Sequence, residues 1–222
     1  MPVDARIADW VVDLGRKIEH KLDHVGLIGP NTIYPAEYYR KRREPAKLRR
    51  HEQIGRALET HYAPNSVIDF GCGIGGLLSY FERKGIEIRG VDGHDAAREF
   101  CIISRADLEI RDLRQPFDAG GGFALAVAIE LVEHIPSRHA DTLVRSLVSG
   151  APDVVLTAAR PGQGGRHHVN ERGATYWSDK FGMEGYVRDE SSEETLRELF
   201  DQHVPAFYAD NLLVFSDADD GL

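Results

Sequence analysis

Residues 67–76 read Val67-Ile68-Asp69-Phe70-Gly71-Cys72-Gly73-Ile74-Gly75-Gly76, and they set the architecture that we expect for most of the chain. The first four residues form a short apolar run interrupted by one acid, which is typical of a buried strand. The glycines that follow allow the backbone to turn sharply and a ligand to approach it closely. Residues 77–84 then have the pattern of a helix. The segment therefore predicts a strand, a ligand-binding loop and a helix in direct succession.

Short apolar runs alternate with helical patterns over the rest of the chain. Alternation at this spacing indicates an α/β fold, a doubly wound Rossmann-like sheet that is mostly parallel. Ligands bind such sheets at the carboxyl ends of the strands, where the strand order reverses. We predict strands at residues 67–70, 86–92, 108–112, 123–129, 153–157, 186–188 and 212–215. We predict the intervening helices at residues 77–84, 95–100, 136–149, 175–181 and 193–202.

Two further helical patterns precede this alternation. Apolar residues on one face predict a helix over residues 6–23. A second helical stretch covers residues 35–61, where Pro45 is expected to kink or split it. We therefore distinguish an N-terminal helical segment, residues 1–64, from a ligand-binding domain, residues 65–222, within what we expect to be one structural unit.

The composition is that of an ordinary globular protein, because 42% of the 222 residues are hydrophobic and 28% are charged. No apolar run approaches the roughly 18 residues of a membrane-spanning helix. The start, Met1-Pro2-Val3-Asp4, lacks the features of a secretory signal. Two cysteines exclude a disulfide framework and a Cys-rich zinc site. We expect a cytoplasmic enzyme with no membrane partner, and the sequence leaves its oligomeric state open.

The formal net charge of −9 disfavours nucleic acid as a partner, unless a local basic patch is present. Basic residues are concentrated at Arg40-Lys41-Arg42-Arg43, Lys47, Arg49 and Arg50. A phosphate could dock there, and the preceding Tyr34, Tyr38 and Tyr39 could stack on bases. A charge run on an amphipathic helix is more often its solvated face, and acidic neighbours dilute this one. We therefore expect the partner to be a small molecule rather than a nucleic acid.

Asp69 discriminates between two ligands for the glycine loop. Gly71, Gly73 and Gly76 satisfy the G-x-G-x-x-G spacing, so a nicotinamide dinucleotide is one candidate. A carboxylate two residues before the first glycine would repel the pyrophosphate of that ligand. It would favour a ligand with a positive end, such as the ammonium and sulfonium of S-adenosylmethionine. We therefore prefer S-adenosylmethionine and keep an NAD-dependent oxidoreductase as the alternative.

Acids also stand at the ends of the next two predicted strands. Asp92 can accept both hydroxyls of a ribose, which a dinucleotide and S-adenosylmethionine both contain. Asp112 can accept from the exocyclic amine of adenine, while the Leu113 N–H can donate to a ring nitrogen. These positions predict a nucleoside beside the glycine loop.

With these residues in this order, residues 65–215 resemble the class I S-adenosylmethionine-dependent methyltransferases. The glycine loop with Asp69, Gly90-Val91-Asp92, Asp112-Leu113 and residues 128–136 resemble successive motifs of that family. The resemblance implies a seven-stranded sheet with an antiparallel last strand and a lid formed by residues 1–64. It also implies methyl transfer that leaves S-adenosylhomocysteine. The cofactor-binding positions would be Asp69, Gly71, Cys72, Gly73, Asp92, Gly93, Asp112, Leu113 and Glu130.

Glu133, His134 and His168 are predicted to be catalytic, since they follow the fourth and fifth strands, where the methyl group should point. An imidazole with a pKa near ~6.5 can remove a hydroxyl proton at neutral pH, and an adjacent carboxylate can orient it. His134 and His168 are the candidate bases. We therefore predict methylation of a hydroxyl on a small molecule, such as a sugar or a natural-product intermediate, with an amine acceptor left open.

The pattern Glu130-x-x-Glu133-His134, followed by His168-x-x-Glu171, also resembles the metal-binding pattern of small-RNA 3′-terminal 2′-O-methyltransferases. Two carboxylates and two imidazoles could hold a divalent ion that lowers the pKa of vicinal hydroxyls. The same acidic run occurs in many class I methyltransferases that use no metal, and the residues around His168 match the RNA enzymes poorly. We therefore assign no metal ligand among these residues and keep a divalent metal as an additional cofactor candidate. A metal-dependent RNA ribose 2′-O-methyltransferase and a binding module without turnover are the remaining alternatives.

Overall fold

The structure, a computed structural model, describes residues 33–219 of the chain. Its strands are β1 (Ser66–Phe70), β2 (Glu87–Asp92), β3 (Leu108–Ile110), β4 (Leu125–Ala128), β5 (Asp153–Thr157), β6 (Tyr186–Arg188) and β7 (Leu212–Asp217). Its helices are α1 (Ala36–Arg40), α2 (Pro45–Tyr62), α3 (Leu78–Glu82), α4 (Asp95–Phe100), α5 (Ala140–Val148), α6 (Ala174–Gly182), α7 (Glu190–Leu199) and α8 (Ala206–Asn211). The strands form one seven-stranded sheet in the order β3-β2-β1-β4-β5-β7-β6.

The sheet is parallel from β3 to β5, and β7 pairs antiparallel with both β5 and β6. The predicted mostly parallel sheet with an antiparallel last strand is confirmed. The strand order reverses at β1, where Asp69 pairs with Gly90 of β2 on one side and Val127 of β4 on the other. A ligand crevice is expected at this reversal, beyond the carboxyl ends of the strands. Asp69 therefore stands at its edge.

Strand β1 is buried on both faces because helices cover the sheet on each side. Val67 belongs to one apolar cluster, which includes Leu58 of α2. Ile68 and Phe70 belong to the other, which includes Leu143 of α5. A strand covered on both faces has a nearly continuous apolar sequence rather than an alternating one. Asp69 is the exception in this run, so its carboxylate must serve a purpose other than packing.

Pro45 splits the helical stretch predicted over residues 35–61. Helix α1 is followed by a 3-10 turn at Lys41–Arg43, and Pro45 is the first residue of α2. Proline suits that position because the first helical N–H needs no partner within the helix. The helix predicted over residues 6–23 lies outside the described residues.

Several predicted boundaries differ from the structure by one to four residues. Strand β3 ends at Ile110 rather than at Asp112, because the Asp112 carboxylate accepts the Arg114 backbone N–H at 3.0 Å and closes a turn. Helix α8 was not predicted. Within residues 33–219 the structure has no helix with the length and apolar content needed to cross a membrane.

Candidate active site

A cavity lies beyond the carboxyl ends of β1, β2 and β4. The glycine loop after β1 and the segments after β2, β3 and β4 line it. Tyr34, Tyr38, Tyr39 and Arg42 contribute a further side, from the segment that precedes α2. All nine positions predicted to bind the cofactor line this cavity, and so does His134. Their contact with a cofactor stays a prediction.

The glycine loop has a backbone shape that other residues would disturb. Gly71 and Gly73 adopt φ angles of +75° and +57°. A Cβ on Gly71 would lie 2.8 Å from Cδ1 of Leu131. The N–H groups of Gly71 and Cys72 both donate to the Val91 carbonyl, at 2.7 and 3.1 Å, which ties the loop to β2. The loop is therefore held close to the strand ends with its backbone facing the cavity.

Asp69 is a buried acid at the edge of the cavity, with 4% of its surface exposed. Burial raises its pKa well above the ordinary value, and the nearby charge of Asp92 raises it further. Two carboxylates in one low-dielectric site repel each other, so a cation placed between them is favoured. This environment suits the positively charged end of a ligand.

Asp92 is occupied by hydrogen bonds from the chain itself. Its carboxylate accepts from the Tyr39 hydroxyl at 3.0 Å, the Gly73 N–H at 2.8 Å and the His94 N–H at 3.0 Å. Burial raises its pKa, and these donors partly oppose the shift. The Tyr39 hydroxyl therefore takes a position at which a ribose hydroxyl is predicted to bind.

Asp112 is held by Arg114, a residue that the sequence analysis did not single out. The guanidinium donates to the carboxylate, with Nη2 at 2.7 Å from Oδ2. Partial burial opposes ionisation, but the hydrogen bonds from Arg114 hold the pKa of Asp112 below its ordinary value. Leu113 is buried beside it. The carboxylate predicted to accept the adenine amine is thus already paired.

Glu130 stands directly beyond β4, in a left-handed backbone conformation with φ of +57°. Its N–H donates to the Thr157 hydroxyl oxygen at 2.7 Å, and that hydroxyl donates to Oε1 of Glu130 at 3.0 Å. Thr157 is the last residue of β5, so two strand ends fix this side chain. Burial raises the pKa of Glu130.

Glu133 is fully buried in a 3-10 turn at Val132–His134. Neither carboxylate oxygen has a hydrogen-bond partner within the described residues. Burial and the charge of Glu130 raise its pKa to about 8. A buried polar atom without a partner is costly, so this carboxyl group is suited to a ligand that the chain does not supply.

His134 uses its Nδ1 atom for two contacts. The His167 carbonyl oxygen lies 3.1 Å from Nδ1, and the Tyr34 hydroxyl lies 2.9 Å from it. A carbonyl oxygen only accepts, so we assign the proton to Nδ1 and the lone pair to Nε2. Burial lowers the pKa of His134 to about 3, which keeps the imidazole neutral.

His168 is held in the same manner by Glu171. Its Nδ1 lies 3.0 Å from Oε1 of Glu171, which also accepts the Gly164 N–H at 2.6 Å. The Gly162 N–H donates to the other oxygen at 2.9 Å. These bonds fix the orientation of the imidazole and leave the lone pair on Nε2.

Glu133, His134 and His168 lie close together although they come from two segments of the chain. One ligand atom from each lies within 4.8 Å of the others. A carboxyl group with two unpaired buried oxygens and two imidazoles form a donor set that suits a divalent transition metal once the carboxyl proton is lost. Glu130 is not part of this trio, and its Oε1 accepts the Thr157 hydroxyl at 3.0 Å. These three residues therefore fit the divalent metal that the sequence leaves open as a cofactor candidate.

Several residues of the site carry no signal that the sequence analysis used. Thr157 fixes Glu130, the His167 carbonyl fixes His134, and Arg114 holds Asp112. Arg114 follows Asp112 by two residues, so an acid–base pair in a turn could have suggested it. The other two contacts join distant segments, and no local pattern predicts them.

Comparison with curated proteins gives a partial match. A probable tocopherol O-methyltransferase, chloroplastic, of Oryza sativa subsp. japonica is 33% identical over 106 residues. The match covers 42% of this chain and 29% of that protein. The aligned region therefore spans less than a third of the length of that relative.

Solved structures of the same fold cover most of the chain. The methyltransferase domain of bacterial CtHen1-C has a TM-score of 0.53 and 19% identity, over 77% of this chain and 98% of that one. Magnesium protoporphyrin IX methyltransferase (ChlM) from Synechocystis PCC 6803, with bound SAH, has a TM-score of 0.53 and 16% identity, over 84% and 91%. At these identities the likeness concerns the fold.

The family assignment comes from a match over most of the sequence. A family model described as a methyltransferase domain matches residues 38–203. That match includes the glycine loop, the strand-end acids and the Glu133, His134 and His168 cluster. It decides against the nicotinamide alternative. The chain therefore belongs to the class I S-adenosylmethionine-dependent methyltransferases.

Proposed function

We propose that the chain transfers the methyl group of S-adenosylmethionine to one hydroxyl of a vicinal pair, with a divalent cation held by Glu133, His134 and His168. The observation that carries the proposal is the approach of their ligand atoms to within 4.8 Å of one another. A cation held by these three residues would bind the hydroxyls of the acceptor and so position it for methyl transfer.

The cofactor is expected to bind by charge and by hydrogen bonds to the cavity wall. Asp69 would accept a hydrogen bond from the ammonium at the methionine end of the cofactor. This positive charge would relieve the repulsion between Asp69 and Asp92. The ribose hydroxyls would replace the Tyr39 hydroxyl on Asp92. Leu113 would pack near the adenine, with its N–H available to a ring nitrogen. The sulfonium methyl group would then point toward Glu130 and His134.

The residues around the cluster support its role as a ligand set. Glu171 and the His167 carbonyl hold the two imidazoles by their Nδ1 atoms, so each presents its Nε2 lone pair. A cation bound there would lower the pKa of a hydroxyl that it contacts. The proton of that hydroxyl would pass to solvent, and the oxygen would take the methyl group as the bond to sulfur breaks and S-adenosylhomocysteine leaves. Glu133 must lose its proton to bind the cation, and nearby positive charge lowers its pKa.

His134 is a poorer general base than its sequence position suggests. Burial lowers its pKa to about 3, so it accepts a proton weakly at neutral pH. His168 is the stronger candidate because Glu171 lies 3.0 Å from its Nδ1 and can stabilise the charged imidazole. A metal-free O-methyl transfer with His168 as base is therefore the second candidate function.

The acceptor is proposed to be a small molecule. The net charge of −9 disfavours a long nucleic acid, although a 3′-terminal ribose offers the same vicinal hydroxyls. The relative from Oryza sativa is named for O-methylation of tocopherol, which agrees with a hydroxyl acceptor.

The proposal is tested by metal binding and metal dependence in the full chain. Protein stripped with EDTA is titrated with Mn²⁺ and Mg²⁺ by calorimetry, for the wild type, Glu133→Gln and the exposed control Glu194→Gln. We expect the wild type and the control to bind one ion, and Glu133→Gln to bind it at least about tenfold more weakly.

Activity is measured in parallel as release of S-adenosylhomocysteine from a panel of ribonucleosides and catechols. EDTA should abolish the release, and added metal should restore it. Full activity in EDTA, with no difference in metal binding between the wild type and Glu133→Gln, would refute the metal role. Loss of that activity in His168→Ala would then establish the metal-free candidate.

A further inference from the structure

A second cavity lies directly beside the active-site cavity, and the two share Tyr38 and Arg42 as lining residues. The second cavity is otherwise lined by Pro35, Glu37, Lys41, Lys47 and Arg166. Four of these seven residues are basic, in a chain whose net charge is −9. Positive charge is therefore concentrated beside the place where the acceptor is proposed to react.

Two guanidinium groups reach this cavity from distant parts of the chain. Arg42 belongs to the 3-10 turn before α2, and Arg166 precedes His168 by two residues. Their Cζ atoms lie 4.4 and 5.8 Å from the centre of the Tyr38 ring. Within residues 33–219, no carboxylate oxygen lies within 4.0 Å of either guanidinium. The two positive charges are thus left without an anionic partner in the described part of the chain.

The acidic residues nearby do not neutralise the cavity. Glu37 accepts two hydrogen bonds from Arg40, both at 2.6 Å, and lies 3.9 Å from Lys41. Glu44 lies 3.1 Å from Lys47 but does not line the cavity. The carboxylates are therefore engaged by lysines and by Arg40. Arg42 donates from Nη2 to the Tyr38 hydroxyl and Arg166 donates from Nη2 to the Ile33 carbonyl at 3.4 Å, but neither guanidinium pairs with a carboxylate of the described residues.

We infer that Arg42 and Arg166 bind a phosphate group carried by the methyl acceptor, while Lys41 and Lys47 add positive charge to the cavity wall. The inference rests on the proposed function, because it takes the acceptor hydroxyl to react beside His134. Arg42 connects the two sites, since it lines the cavity that holds His134 and the basic cavity next to it. The acceptor is then a vicinal diol with a phosphate a short distance away.

The chemistry of the basic cavity favours a phosphate over a carboxylate. A guanidinium fork pairs with two oxygens of a phosphate, and a doubly charged anion can engage several cations at once. Binding of the cofactor carboxylate at Arg42 is the competing explanation. It would leave Arg166, Lys41 and Lys47 without a role, since they lie in the second cavity and not in the first.

The test compares uridine 5′-phosphate with uridine on the wild-type protein saturated with S-adenosylhomocysteine and Mn²⁺. Both ligands carry the vicinal diol, so a difference reports the phosphate. We expect the phosphorylated ligand to bind at least about tenfold more tightly, and the difference to shrink with added salt. Arg42→Gln and, separately, Arg166→Gln should reduce the difference to less than about threefold. Arg49→Gln, which changes an exposed arginine of α2, is the matched control.

A ten-nucleotide RNA with a free 3′ end distinguishes the source of the phosphate. Binding more than about tenfold tighter than that of uridine 5′-phosphate would identify a phosphodiester chain, and equal binding would identify a small phosphorylated diol. Cofactor affinity is measured for every variant by calorimetry. Equal binding of uridine and its phosphate to the wild type would overturn the inference. So would a loss of cofactor affinity in Arg42→Gln with the phosphate preference intact.

These outcomes are separable from failure of the proposed function. The phosphate preference is a binding measurement that requires no turnover. Dependence of activity on metal is measured with non-phosphorylated catechols, which do not need the basic cavity. Either result can therefore fail while the other stands.

Discussion

The two ends of the active-site cavity differ in how their acids are paired. At the cofactor end, Asp92 accepts three hydrogen bonds from the chain and Asp112 is held by Arg114. Next to the acceptor end, Glu133 is fully buried and does not itself line the cavity, and both of its oxygens lack a partner within the described residues. The first end is organised by the chain alone, whereas the second is completed by a ligand. Substitutions at the two ends should therefore separate cofactor binding from turnover.

The largest effect is expected in the pH dependence of stability at Glu133. Its pKa is raised to about 8 in the folded protein, so the protonated form favours folding. The stabilisation is complete below the ordinary carboxyl pKa and is lost as pH rises through about 8. In metal-free protein, the free energy of unfolding of the wild type should fall relative to Glu133→Gln by about 3 kcal/mol between pH 5 and pH 8.

Urea denaturation at the two pH values, with Glu194→Gln as the control, measures this difference. Saturating Mn²⁺ should reduce it, because the ion stabilises the carboxylate. Parallel pH profiles for the wild type and Glu133→Gln would mean that Glu133 is not buried as a carboxylic acid.

At the cofactor end, Asp69→Asn should weaken S-adenosylmethionine binding by about thirtyfold, or about 2 kcal/mol, because a charged hydrogen bond to the ammonium is lost. Calorimetry with S-adenosylmethionine measures the change, and the exposed Asp179→Asn is the control. Unchanged affinity in Asp69→Asn would place the ammonium elsewhere and remove the electrostatic basis for the cofactor site.

At the acceptor end, Glu171→Gln should lower the turnover number by about tenfold and leave cofactor affinity unchanged, because it loosens the orientation of His168. Initial rates at saturating cofactor, together with calorimetry, separate the two quantities. An equal loss of cofactor affinity would indicate that the substitution disturbs the whole cavity.

The smallest effect on cofactor affinity is expected at Tyr39, whose hydroxyl donates to the Asp92 carboxylate. Tyr39→Phe should increase S-adenosylmethionine affinity by about threefold, since the ribose no longer displaces a neutral hydrogen bond. Tyr80→Phe is the control, because the Tyr80 hydroxyl binds Glu59 outside the cavity. A weaker affinity in Tyr39→Phe would show that the hydroxyl contacts the bound cofactor.

Features that depend on local pattern were predictable from the sequence. The short run over residues 67–70 predicted β1, and the glycines that follow it predicted the loop. Pro45 predicted the split between α1 and α2. The strand-end acids were brought to one cavity because parallel strands end at the same edge of the sheet. These predictions needed only the order of elements along the chain.

Features that depend on tertiary contacts were not predictable in this way. The Tyr39 hydroxyl reaches Asp92 across 53 positions, and Thr157 reaches Glu130 across 27. The low pKa of His134 arises from burial, which a sequence position does not reveal. The choice between a base and a metal ligand for this residue therefore required the fold.

The backbone of Glu130 has a consequence for engineering. Its left-handed φ of +57° suits glycine or asparagine better than glutamate. A library selected for heat resistance alone would therefore accumulate glycine or asparagine at position 130. Either substitution should raise the free energy of unfolding by about 1 kcal/mol. Those survivors would lack the carboxylate bound to Thr157, so thermal screening of this enzyme must be coupled to an assay of methyl transfer.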